Sequence, residues 1–169
     1  MTSIQATPAP QRPWAIRLSI LGAAVLSLTA AAGAATGRPP RFELIGQAGL
    51  AIQIHLAAVV LALGVGAWQL LGPKGTTAHR ALGWTWSLAM MAAALSSFFI
   101  RTVIDGWFSP IHLLSVITLV GLPTAIWAAH RHDVRRHSRI MTSVYLGGMI
   151  VAGGFAFLPG RLLWNVFFS

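Results

Sequence analysis

Along the chain, apolar and polar positions fall into long blocks with no short-period alternation. Five apolar stretches, roughly Leu18–Ala35, Ile45–Leu71, Ala81–Ile100, Ile111–Ala129 and Ile140–Leu158, are separated by short polar segments. A hydrocarbon core about 30 Å thick takes about 20 helical residues to cross, and each stretch meets that length. In lipid the backbone must satisfy its own hydrogen bonds, so each stretch is expected to be a helix. The boundaries carry matching signals. Gly72–Pro73 ends the second stretch, Thr76 or Thr77 can cap the third, and Ser109–Pro110 reads as N-cap and first-turn proline of the fourth. Pro123 should kink the fourth. The expected fold is an all-α integral membrane protein of five transmembrane helices.

Composition removes the competing classes. Of 169 residues, 56% are hydrophobic and only 9% are charged. That is too little charge to cover a soluble domain and too much apolar surface for a disordered chain. Cysteine is absent, which excludes disulfides, iron–sulfur clusters, thiolate zinc sites and covalent c-type haem. Only three carboxylates occur, Glu43, Asp105 and Asp133. A carboxylate proton relay or an Asp-rich hydrolase is therefore poorly supported, no Ser-His-Asp constellation is evident, and no catalytic side chain is assigned.

The net charge of +9 acts mainly on topology. With the N-terminus in the cytoplasm, Arg12, Arg17, Lys74, Arg80, Arg131, Arg135, Arg136 and Arg139 lie inside, against Arg38, Arg41, Arg101 and Arg161 outside. The excess favours an N-in, C-out protein of the bacterial cytoplasmic membrane. The basic residues are divided among short loops, which argues against nucleic acid as a partner. The first stretch also has the form of a secretory signal. Retained or cleaved, it leaves the other four helices in one orientation. The chain thus divides into residues 1–44, a tail with a peripheral helix, and 45–169, a four-helix core.

That core contains a repeat. Ile54-His55-Leu56, Val59 and Gly64 match Ile111-His112-Leu113, Val116 and Gly121 at an offset of 57 residues, while His79 and His137 follow their partners by 24 and 25. Each copy reads as a helical hairpin with one histidine early in its first helix and one at the start of its second. Two hairpins repeated in one orientation are related by a pseudo-two-fold axis along the membrane normal. His55 should then face His112 near the outer surface and His79 should face His137 near the inner one, about 24 Å apart at 1.5 Å per residue.

Imidazole inside a bilayer is a functional-site candidate, and two imidazoles from facing helices can supply both axial ligands of a b-type haem iron. Small residues beside the ligands would admit a flat ring: Ala51 and Ala58 near His55, Ser115 near His112, Gly83 near His79, and Gly147, Gly148, Gly153 and Gly154 on the fifth stretch. Arg101 and Arg161 outside, and Arg80 inside, are the cations offered to propionates.

Two resemblances follow. HRALGWTW (His79–Trp86), SSFFIR (Ser96–Arg101), FSPIHLLS (Phe108–Ser115) and AGGFAFLPGR (Ala152–Arg161) resemble a family of bacterial predicted membrane proteins, domain-of-unknown-function family 2306, over about Gln47–Arg161. This resemblance implies no activity. The histidine layout, second helix with fourth and third with fifth, is similar to that of cytochrome b561. It implies two haems b, with His55 and His112 on the outer iron and His79 and His137 on the inner, and single electrons crossing the membrane. Five spans instead of six, and a shorter His55–His79 spacing, depart from that pattern.

Three readings stay open: a di-haem electron carrier served by a small reductant, a quinol or a redox partner protein; a cofactor-free transporter-like, assembly or accessory protein; and a zinc or copper site made of histidines alone. The bilayer is the one partner common to all three, and a homo-oligomer is open in each.

Overall fold

A computed structural model describes residues 37–100 and 111–169, together with Ser27, Ala31 and Ala35. Among the described residues every regular element is helical: α1 (Glu43–Gln47), α2 (Leu50–Leu71), α3 (Thr77–Ser97), α4 (His112–His130), α5 (Val134–Leu146), a π-helical segment (Gly147–Ala152), α6 (Gly153–Ala156) and α7 (Leu162–Phe168). The predicted first span lies outside the described residues except for three helical, exposed positions. Its expected place outside the core falls there too.

Among the described residues, three helices are both long and apolar enough to cross a membrane: Leu50–Leu71, His112–His130 and the continuous Val134–Ala156. Helix α3 has 21 residues but is not among them. Its sequence spends Thr, His, Arg, Trp and Ser where the others have aliphatic side chains. Burial accounts for part of this composition: Trp86, Ser87 and Ser96 are enclosed by protein together with Ala89, Met90, Ala93 and Ala94, while Thr77, Arg80, Trp84 and Thr85 are exposed.

Short loops make sequential helices antiparallel neighbours, so α2 packs on α3, α3 on α4 and α4 on α5. The ring closes where α5 returns to α2. There the Tyr145 hydroxyl donates to the Leu63 carbonyl at 3.4 Å, and its ring lies over Gly66 together with Trp86. Helices α2 and α4 are therefore diagonal, as are α3 and α5. Ala62, Trp86, Ala89, Met90, Leu122, Val144 and Tyr145 form the core, where small residues let helix backbones approach. Trp86 Nε1 is buried there with no hydrogen-bond partner among the described residues.

The ends are fastened locally. Lys74 Nζ donates to the carbonyls of Gln69, Leu70 and Gly72 at 2.7–2.8 Å, placing a cation at the negative end of α2. Thr76, the first of the two candidate caps, accepts from the His79 N–H at 3.0 Å. Asp133 caps α5 through the Arg136 N–H at 2.9 Å. Pro123 stands inside α4, which runs on through it. At the opposite end, the Arg41 N–H donates to the Val166 carbonyl at 2.9 Å. Phe42 meets Phe167 edge-on at 6.1 Å, joining α1 to α7.

The α2 crossing gives a stability test. A methyl at Gly66 would collide with Tyr145 and Trp86, whereas one at Gly64 would meet nothing within 4 Å. Overpacking of this kind costs about 1–3 kcal/mol. Gly66→Ala should lower the melting temperature of detergent-solubilised protein, and Gly64→Ala should leave it unchanged or slightly higher.

Candidate functional site

At one end of the bundle, His55 on α2 and His112 on α4 line a single cavity of about 240 Å³. His112 is buried and His55 half-buried. The walls are mostly apolar, but Ser97, Ser115, Thr118 and Arg161 also reach the cavity. Both imidazoles bond to the last turns of α3. His55 Nδ1 donates to the Ala93 carbonyl at 2.9 Å and lies 3.2 Å from Ser96 Oγ. A ring nitrogen facing a carbonyl must carry the proton, which leaves His55 Nε2 as the lone-pair nitrogen. His112 is the reverse: its Nε2 donates to the Ser97 carbonyl at 3.0 Å. The Ser97 and Ser115 hydroxyls bond to each other at 2.6 Å, and the Phe98 ring lies 5.7 Å from the His112 ring.

At the other end, His79 Nδ1 donates to Gln69 Oε1 at 2.8 Å and Gln69 Nε2 donates back to the His79 carbonyl at 2.9 Å. His137 Nδ1 donates to the Ala125 carbonyl at 2.9 Å. His79 lies two residues ahead of Ala81, where the predicted third span begins. Burial first, and then the positive fields of His137, Lys74 and Arg80, hold its imidazole below the ordinary histidine pKa. Three of the four histidines thus carry the proton on Nδ1, hydrogen-bonded to an oxygen, with Nε2 left as a donor of electrons. Metal-ligating histidines have this arrangement.

The remaining candidates divide. Arg161 is half-buried on the wall of the His55–His112 cavity, and its guanidinium has no partner among the described residues. Arg80 donates to the Gly75 carbonyl at 3.1 Å and to Thr77 Oγ1 at 3.3 Å. It is tied to its own turn. Arg101 lies outside the described residues.

The small-residue slots need correction. Ile52 and Val59, not Ala51 and Ala58, flank His55 in the cavity. Ala51 instead lines an outward groove with Leu50, Ile54 and Phe99. The space at Gly83 holds the Gln69 amide, whose Nε2 would lie 3.2 Å from an added Cβ. Gly148 does line the cavity, from within the π-helical segment.

Sequence reasoning missed Gln69, Ser96 and Ser97, the partners of three histidines. The usable signal was polarity itself, because an amide or hydroxyl in an apolar span needs an internal partner.

Among the described residues, no three His, Asp or Glu side chains gather as a metal ion would require. The histidines stand as two pairs at opposite ends, so the convergence of all four on one zinc or copper, one of the three open readings, is not formed. For a porphyrin the donor chemistry fits. The cavity, at about 240 Å³, is below the roughly 300–1,000 Å³ of cofactor clefts. Leu56, Leu114 and Leu163 are the flexible side chains a ring would displace.

Residues 52–166 match the model of a family described as predicted membrane protein (DUF2306), and the chain belongs to that family. No curated protein and no solved structure matches it.

A pH dependence follows from the His79 environment. Its depressed folded pKa means that the unfolded chain takes up the proton first as pH falls. Stability is full above the unfolded value near 6.5 and is lost as pH drops through the folded value. The melting temperature should fall on acidification below about pH 6.5, and His79→Gln should flatten that slope. An identical slope in the variant would place the acid sensitivity elsewhere.

Proposed function

We propose that this membrane protein is a two-haem electron carrier. His55 and His112 would hold one b haem, His79 and His137 the other. The reading rests on one observation above all: four imidazoles stand as two pairs at opposite ends of the bundle, three of them with Nδ1–H already bonded to oxygen. An imidazole that would hold iron through Nε2 is prepared by such a bond, which fixes the ring and raises the basicity of Nε2. Arg161 supplies a cation at the cavity wall for a carboxylate of the group it encloses. Bound haem supplies reversible one-electron chemistry, and the side chains make and break no bonds. The donor side would be served by a small reductant, a quinol or a partner protein. The charge distribution favours an orientation with the His55 end outside the cytoplasm and the N-terminus inside.

The same bonds favour a second reading. All four imidazoles are already hydrogen-bonded within the protein, and the cavity is smaller than a cofactor cleft. In a cofactor-free protein the histidines would be fasteners between helices, and the chain an accessory or assembly subunit.

The deciding measurement is an absorption spectrum of protein expressed with ample haem, before and after dithionite. A b-type Soret band that shifts on reduction, and that His55→Ala and His79→Ala each cut by roughly half, is expected for two independent sites. A colourless protein that takes up no added haem would leave the cofactor-free reading standing.

A further inference from the structure

The His79 contact differs in kind from those at His55 and His137. Those two rings donate to backbone carbonyls at 2.9 Å, with Ser96 Oγ beside His55 Nδ1 at the longer 3.2 Å. His79 donates to a side chain, Gln69. The amide is held by a second bond, Gln69 Nε2 to the His79 carbonyl at 2.9 Å. That second bond orients the amide: a nitrogen must face the carbonyl, so Oε1 must face the ring, and the ring nitrogen opposite it must be Nδ1–H. The latch joins the last turn of α2 to the first turn of α3 and occupies the space that Gly83 leaves open. Both bonds are partly buried.

We propose that Gln69 is the positioning residue of His79, fixing its Nδ1–H tautomer and tuning the electron donation of Nε2 at that end of the bundle. The tuning half rests on the two-haem reading; the tautomer half does not. A hydrogen bond from Nδ1–H to a stronger acceptor pushes electron density towards Nε2, and a more basic axial ligand lowers the potential of the iron it holds. The His79 site would then be the one whose potential a single side chain sets. Gln69→Glu keeps the shape and strengthens the acceptor; Gln69→Leu removes it.

The test uses the full chain in detergent with 15N-labelled histidine, the His79 signals being assigned by their loss in His79→Gln. In wild-type protein without added haem, His79 should show protonated Nδ1 and bare Nε2. Gln69→Leu should turn that tautomer from dominant to minor while the other five histidines stay put. Gln69→Glu should keep it and move the Nδ1 proton downfield. In haem-loaded protein, Gln69→Glu should lower the midpoint potential of one haem and leave the other unmoved.

A staple with no electronic role would show the same His79 tautomer in wild type and in folded Gln69→Leu. That result overturns the proposal, as does an Nε2–H tautomer in wild type. If Gln69→Leu does not fold, Gln69→Glu decides, because an unmoved Nδ1 proton in that variant is equally fatal. If wild type binds no haem, the two-haem reading fails while the tautomer measurements still judge Gln69. Two bound haems with neither potential moved in Gln69→Glu would overturn the tuning half alone.

Discussion

Everything polar in this bundle must find its partner inside the protein, because lipid offers none. Helix α3 is where that constraint is met. It is the least apolar of the long helices and carries the most buried side chains. His55 from α2 and His112 from α4 bond to its last turns, and Gln69 from α2 bonds to its first. Ser96 and Ser97 turn their hydroxyls back on carbonyls of the same turns. His55, Gln69 and His112 of the neighbouring helices are aimed at α3, while His137 and Tyr145 of α5 bond to carbonyls of α4 and α2.

These bonds suit two uses. An imidazole that fastens two helices and an imidazole prepared to ligate iron both need Nδ1–H on an oxygen and a fixed ring plane. Evolution could take the first arrangement and arrive at the second by opening space beside Nε2. The distinguishing physical quantity is therefore volume. At the His55 end the walls are flexible leucines and small residues from the π-helical segment and α6, which yield more readily than a backbone would.

Although α2 and α5 begin at Leu50 and Val134 and not at Ile45 and Ile140, three membrane-length helices were legible in the sequence, because length and apolarity are local properties. So was the division of the histidines into two layers, since 24- and 25-residue spacings across tight turns leave little choice. Three things were not legible. The flanking small residues were assigned by spacing along one helix, but which face of α2 turns inward depends on its neighbours, so Ala51 went outward and Ile52 inward. The space at Gly83 could not be matched to Gln69, because the two meet only across helices. Nor did hydropathy foretell that α3 would be central, with Trp86, Ser87 and Ser96 on its buried face and Trp84 exposed.

The repeat supplies the last step. A true two-fold would send His55 to α3 and His112 to α5, and likewise His79 to α2 and His137 to α4. The His79 end obeys: Gln69 holds His79, and Ala125 holds His137 within a residue of the position the 57-residue offset assigns. The His55 end does not, because both its histidines bond to α3. Shifted by the same offset, Ala93, which accepts from His55, corresponds to Ile150, inside the π-helical Gly147–Ala152 segment. The turn that should receive His112 has lost its α-helical carbonyl spacing, and π-segments of this sort collect at functional sites. His112 has turned instead to Ser97, with the opposite tautomer. The two ends of the bundle are thus chemically unequal although their histidines are repeated.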